Sequence, residues 1–218
     1  TPVLARSLII QYKIFIFKKN MIIGFLGKGG SGKSTLATHT TRLLHKLGNT
    51  VLAIDADYNM DLTHTLDAPE KMNFLGDTAW ADIKLFFNDI HKTTYRDIVL
   101  EHDGSQKFTL NPLDTFTEKY STELKPGLRL MAVGPQTMRV LTGQTCSHGL
   151  GGSLKAFLPL LDLHKHEAVV VDEKAGADSV GTGVPTGFNL AVIVVEPTVY
   201  GIKAAKQIAG YLDHYSVQ

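Results

Sequence analysis

From residue 21 onward, short runs of apolar residues alternate with longer stretches in which apolar positions recur every three or four residues. The runs MIIGFL (21–26), TVLAID (50–55), LRLMAV (128–133), EAVVVD (167–172) and LAVIVV (190–195) are almost continuously apolar, as parallel strands covered on both faces must be. After the first run, Leu36, Thr40, Leu43, Leu44 and Leu47 repeat at helical spacing, and Gly48 stands where that helix should stop. The pattern predicts further helices near 79–90, 153–163 and 199–213. Strand and helix taking turns predicts an α/β fold: a doubly wound, mostly parallel sheet with helices on both faces in three layers. Its ligand crevice is expected at the carboxyl ends of the strands. The segment from about 67 to 125 breaks this rhythm with the only tryptophan, Trp80, and a polar, threonine-rich stretch. It reads as an insertion with some helix. Its aromatic group, Phe74, Trp80, Phe86 and Phe87, has a single interleaved basic residue, Lys84, which favours packing over a base-stacking platform.

Composition narrows the function classes. The 218 residues are 44% hydrophobic and 20% charged, enough for one globular domain with a sizeable core. With 22 Lys plus Arg against 21 Asp plus Glu, nothing marks a nucleic-acid or membrane-surface binder, so any anion must be bound locally. The single cysteine, Cys146, cannot close a disulfide within the chain, and this fits a cytoplasmic protein. Residues 1–20 form a leader of uncertain structure. Its apolar stretch Leu8–Phe17 is interrupted by Gln11 and Lys13 and is too short to cross a bilayer, so Met21 reads as a natural start and 21–218 as the domain.

The first strand runs directly into Gly27-Lys28-Gly29-Gly30-Ser31-Gly32-Lys33-Ser34-Thr35, which satisfies the phosphate-loop pattern G-x-x-x-x-G-K-[ST]. Glycines suit a backbone that must turn its N–H groups inward around phosphate oxygens at the start of a helix. Lys33 is the candidate for the β- and γ-phosphates, Ser34 for a phosphate-bound Mg²⁺ and Thr35 for the α-phosphate. The second strand ends in Asp55-Ala56-Asp57, two carboxylates at the edge where the phosphates should lie. Asp55 suits an outer-shell partner of Mg²⁺, and Asp57 suits orienting or deprotonating an attacking water.

The second lysine of the loop, Lys28, makes the string GKGGSGKST resemble the deviant Walker A of the MinD/ParA-like ATPases. The resemblance implies that Lys28 reaches the nucleotide of a partner protomer, and so an ATP-dependent, face-to-face homodimer. DADYNMDL resembles the first switch of that family, with Tyr58 and Asp61 departing from its usual proline and asparagine. VVVDEKAG matches its second switch at Asp172, a Mg-linked carboxylate, and at Gly176, whose amide senses the γ-phosphate. Glu173 and Lys174 are unusual there. The resemblance also implies that the domain normally continues past Gln218, so its C-terminal part is expected to be missing.

GKGGSGKSTLA, VLAIDAD, LMAVGP, VVVDEKAG and VIVVEPT together are most similar to the CooC-type ATPases, which help to insert nickel into carbon monoxide dehydrogenase. Those proteins carry a metal-binding Cys-x-Cys, where this chain has Cys146-Ser147-His148. In a two-fold dimer, two Cys and two His would suit Zn²⁺ or Ni²⁺, and an unligated thiol beside a surface histidine is the other reading. His164 and His166 lack a thiolate neighbour and read as solvated, with Asp162 and Glu167 as the nearest acids in the sequence. The expected function is that of an ATP- and Mg²⁺-dependent dimeric switch, with Lys28, Lys33 and Asp57 catalytic and a nickel enzyme as client. Two alternatives stay open: a ParA/MinD-like positioning ATPase bound to DNA or membrane, and a nucleotide-gated scaffold without turnover. An iron–sulfur electron carrier is disfavoured, because a bridged cluster needs two cysteines from each chain.

Overall fold

The computed structural model describes residues 20–76, 78–144, 147–215 and 217. Each of the five apolar runs forms a strand: β1 (Met21–Gly27), β2 (Thr50–Asp55), β5 (Leu128–Ala132), β7 (Glu167–Asp172) and β8 (Leu190–Val194). They lie parallel in one sheet, and a further strand, β4 (Ser121–Lys125), joins it antiparallel to β5 at one edge, giving the order β4-β5-β2-β7-β1-β8. Because successive side chains of a strand point to opposite faces, each central strand feeds two cores. Ile22, Leu52, Ile54, Val169 and Val171 face one side, whereas Ile23, Val51, Ala53, Ala168 and Val170 face the other.

The second side is covered by helix α1 (Lys33–Lys46) and the short α2 (Asp61–Thr65). Helix α1 forms where the spacing predicts it, but the face it buries is not the leucine stripe. Ala37, Thr38, Thr41 and Leu44 are buried, while Leu36 and Leu43 are each 44% exposed and Leu47 is 55% exposed. Small residues let the helix axis sit close over the sheet, and the bulkier leucines are turned to its flank.

The first side carries the segment 67–125 together with most of the chain beyond β5. Helices α3 (Ala79–Phe86), α4 (Tyr95–Glu101) and α5 (Thr115–Tyr120) enclose an aromatic core, with the two-residue strand β3 (Phe108–Thr109) between α4 and α5. Beyond β5 come the single turns α6 (Met138–Leu141) and α7 (Leu154–Phe157), the short strand β6 (Leu161–Asp162), the turn α8 (Asp178–Gly181) and finally helix α9 (Val199–Leu212). The helix expected over 153–163 is therefore cut to 154–157. Pro159 has no N–H to continue the ladder, and the chain turns into β6, which pairs parallel with β3. Phe86 and Phe87 pack on Phe108 as the aromatic pattern implies, but Trp80 lies against Tyr95 and Phe74 against Gly134. Among the described residues, no helix is long and apolar enough to cross a membrane.

Candidate nucleotide site

Three strand ends meet at one edge. Strands β2, β7 and β1 are neighbours, so Asp55 lies level with Asp172 in the register of β2 and β7, and Asp172 lies level with Phe25 of β1, two residues short of Gly27. From Gly27 the chain wraps into α1. Gly30 and Gly32 hold φ of 80° and 92°, the left-handed region where a Cβ is penalised, and Gly32 is the residue from which α1 starts. The Ser31 amide donates to the Lys28 carbonyl at 3.2 Å and tightens the turn. Among the described residues, the amides of Gly29, Gly30 and Gly32 donate to no backbone carbonyl. The loop, Lys33, Ser34 and Thr35 line a cleft of about 340 Å³, closed opposite by Asp57, Asn59, Asp61 and Ala175. Amides without partners at a helix start, facing a cleft, suit an anion.

Lys33 sits at the centre of this edge. Its Nζ is 3.6 Å from Asp172 and 3.8 Å from Asp57, and all three side chains are nearly inaccessible to water. A second contact reaches the Ser34 hydroxyl at 3.4 Å. These separations are long for ion pairs, so the ammonium is neutralised without being gripped. Asp172 is the freest acceptor present: it is fully buried, and neither carboxyl oxygen has a well-formed hydrogen bond. Burial raises its pKa, opposed first by the Lys33 charge. Asp55 is engaged instead. It accepts from the Thr63 amide and hydroxyl, each at 2.8 Å, and from the Asp57 amide at 3.2 Å, which anchors α2 to the end of β2. Burial nonetheless pushes its carboxyl up to about 7, against the pull of the Thr63 hydrogen bonds. Asp57 accepts from the Asn59 amide and turns its other oxygen toward Lys33.

Glu173 adds a further buried acid. Its side chain enters the aromatic side of the sheet with Oε1 unpartnered, and burial pushes it up to about 8. Burial pushes Asp55 and Glu173 toward their neutral forms, so Asp57 and Asp172 are left to share the Lys33 charge, and this edge can take a further cation. An orphaned buried carboxylate beside a serine hydroxyl at the mouth of a phosphate-shaped loop fits Mg²⁺ carried in with phosphates.

The residues singled out from sequence thus converge, with three qualifications. Lys28 is not among the residues that line the cleft and pairs with Glu196 at 3.8 Å. The Gly176 amide donates to the Gly27 carbonyl at 2.9 Å, which ties the segment after β7 to the loop. Cys146 lies outside the described residues; His148 falls in the 3₁₀ turn Ser147–Gly151, but its side chain is likewise outside the described part. Among the described residues no group of three or more His, Cys, Asp or Glu side chains is arranged to hold a metal ion. Sequence reasoning missed Thr63, the clamp on Asp55, and Glu196, the partner of Lys28; Glu196 stands in the VIVVEPT string without any role assigned to it, and Thr63 just follows DADYNMDL. The unusual residues of the two switches do meet, since the Lys174 ammonium lies 5.6 Å from the centre of the Tyr58 ring.

Comparison with known proteins agrees with this geometry. The pattern of the CobQ/CobB/MinD/ParA nucleotide binding domain family matches residues 22–213. An uncharacterised ATP-binding protein of Methanocaldococcus jannaschii is 30% identical over 192 residues, covering 86% of this chain and 72% of that protein. The carbon monoxide dehydrogenase accessory protein CooC of Rhodospirillum rubrum is also 30% identical, over 198 residues, covering 87% and 68%. Among solved structures, a plasmid partition protein of Borrelia burgdorferi bound to AMPPNP superposes with a TM-score of 0.54 at 20% identity, covering 92% of this chain and 71% of that one. The Pyrococcus furiosus cell division ATPase MinD gives 0.52 at 16%, covering 91% and 69%; these two likenesses speak for the fold. The chain belongs to the CobQ/CobB/MinD/ParA nucleotide binding domain family and is a P-loop ATPase of the MinD/ParA type.

Proposed function

We propose that this chain is a nucleotide-operated switch that binds Mg·ATP, pairs with a second copy around it, and serves the maturation of a nickel enzyme of the carbon monoxide dehydrogenase kind. The observation that carries the nucleotide chemistry is Lys33, held loosely between Asp57 and Asp172 at the mouth of a loop in which the Gly29, Gly30 and Gly32 amides donate to no backbone carbonyl among the described residues. Bound Mg²⁺ would neutralise charge on the phosphoryl oxygens. In this reading the residues from Gly27 to Thr35 hold the phosphates in main-chain amides, and Lys33 turns from its two acids to the β- and γ-oxygens. Ser34, Asp55 and Asp172 are the candidates to hold the metal. Asp57 orients the attacking water and receives its proton, while Lys28 serves the nucleotide of the partner copy. Gly176 exchanges its bond to Gly27 for one to the γ-phosphate, and the segment after β7 shifts with it.

The client is supported by the 30% identity to CooC and by the Cys146-Ser147-His148 string, which in a two-fold pair supplies four donors for one Zn²⁺ or Ni²⁺. Asp57→Asn tests the enzyme reading: steady-state hydrolysis is expected to fall by about 10²- to 10⁴-fold while binding of a non-hydrolysable ATP analogue persists. Turnover equal to wild type would leave a nucleotide-gated scaffold. Elemental analysis of the ATP-bound dimer tests the cargo. About one Zn²⁺ or Ni²⁺ per two chains is expected, and the same content in Cys146→Ser would remove the maturation reading.

A further inference from the structure

Lys28 and Lys33 belong to the same loop but are held differently. Lys33 is buried between two acids, whereas Lys28 is 48% exposed and meets a single carboxylate, Glu196, itself 31% exposed, at 3.8 Å. The two ends of this pair differ in freedom. Glu196 stands just after β8, where its carbonyl accepts from the Thr198 amide at 2.7 Å and where Thr198 caps α9 by accepting from the Gly201 amide at 3.0 Å. A Cβ on Gly201 would stand 2.5 Å from that same carbonyl, so the backbone of Glu196 is pinned against the first turn of α9. Lys28 lies on the glycine loop, and its long side chain can leave without moving the backbone. The carboxylate also lies along the loop itself, since a Cβ on Gly30 would stand 3.6 Å from Glu196 Oε1. An acid so close to a phosphate cradle opposes the incoming anion unless a cation covers it.

We propose that Glu196 is a positioning residue for Lys28. In the nucleotide-free protomer it parks the ammonium on the outer lip of the loop, where the lysine also shields the phosphate cradle from the Glu196 charge. When a second copy brings its own nucleotide, the greater charge of the phosphates draws Lys28 across. A partly exposed ion pair is weak enough for such an exchange, because water and salt screen it. This inference rests on the cross-dimer role of Lys28 in the proposed switch.

Two measurements on the full chain test it. In sedimentation equilibrium with a non-hydrolysable ATP analogue, Glu196→Gln should tighten dimerisation by about two- to fivefold, the range of an exposed ion pair, and the gain should shrink at high salt. Dimerisation unchanged or weakened in Glu196→Gln would overturn the parking role. In ADP binding to dilute monomer, Lys28→Ala uncovers Glu196 and should weaken affinity by a similar factor, and the double substitution Lys28→Ala with Glu196→Gln should restore it. A double variant that binds no better than Lys28→Ala would overturn the shielding role. Lys28→Ala that dimerises as well as wild type would instead remove the cross-dimer reading beneath the proposal, an outcome distinct from a Lys28→Ala defect with an inert Glu196→Gln.

Discussion

Phe108 and Asp172 are both fully buried, one in the aromatic insertion and one at the carboxyl edge of the sheet, and their surroundings are opposite in kind. Phe108 has Phe86, Phe87, Phe116 and Phe157 around it at ring-centre distances of 4.6–5.0 Å. The helix starts nearby are capped: Thr94 and Asp97 close a capping box on α4, and Asp114 caps α5 by accepting from the Phe116 and Thr117 amides, while the buried Nε2 of His102, packed on Phe87, has no hydrogen bond among the described residues. Asp172 has no well-formed hydrogen bond, lies level with Asp55, and shares one lysine with Asp57. The insertion is thus arranged for stability, while the edge keeps charges that only an incoming ligand can satisfy, a division expected where activity is traded against stability.

Substitutions can break this contrast or sharpen it. The largest effect belongs to the packed region: Phe108→Ala should remove about 3–5 kcal/mol of unfolding free energy, read from the urea midpoint, with nucleotide affinity of the folded protein unchanged. Lys33→Ala should lower ATP affinity about 100-fold, roughly 3 kcal/mol, by calorimetry; affinity that survives would mean that the edge is not a phosphate site. A third test uses pH. Glu173 ordinarily titrates near 4.5 and is held up to about 8, so the folded protein keeps a proton that the unfolded chain has released. Its contribution is complete below about pH 4.5 and is lost as pH rises through 8; Asp55, held up to about 7, adds the same trend one step lower. Glu173→Gln should therefore flatten the fall in melting temperature across this window and stabilise the protein at pH 8 by about 1–3 kcal/mol. Unfolding scans at several pH values check this, and a slope unchanged in the variant would place the titration elsewhere. The smallest effect returns to the insertion, where Lys119 pairs with Asp82 at the surface. Lys119→Ala should cost under about 1 kcal/mol, since charges there trim the rim and do not govern the interior.

Legibility followed the physics of each segment. Four of the five parallel strands were readable because burial on both faces leaves little but aliphatic side chains, as in Val169–Val171; the edge strand β8, only partly buried along its length, carries the same aliphatic run. The phosphate loop was readable because its backbone admits few residues besides glycine at positions 30 and 32. Strand β4 was not, since an edge strand of Ser121, Thr122, Glu123, Leu124 and Lys125 needs no apolar run; the Pro126-Gly127 turn, with Gly127 at φ 77°, was its one signal. Beyond Phe157 the leucines keep a helical spacing, but Pro159 lacks the N–H that would continue the helix. On α1 the leucine spacing marks the helix but not its buried face, where close packing over the sheet favours Ala37 and Thr41 beside Leu44. At the site, identities were legible and pairings were not. No spacing rule could pair Thr63 with Asp55, which depends on how the chain after β2 turns α2 back over the strand end, or Glu196 with Lys28, which depends on β8 lying beside β1.

The amide of Gly176 donates to the carbonyl of Gly27. One N–H makes one strong bond, so an oxygen arriving from a ligand must compete for a proton already committed to the main chain. In the proposed switch, mooring to Gly27 and a contact to the γ-phosphate exclude each other at this amide. In heavy water, the rate at which deuterium replaces that single hydrogen, compared with and without a non-hydrolysable ATP analogue, would report the change in its protection without any reporter group attached.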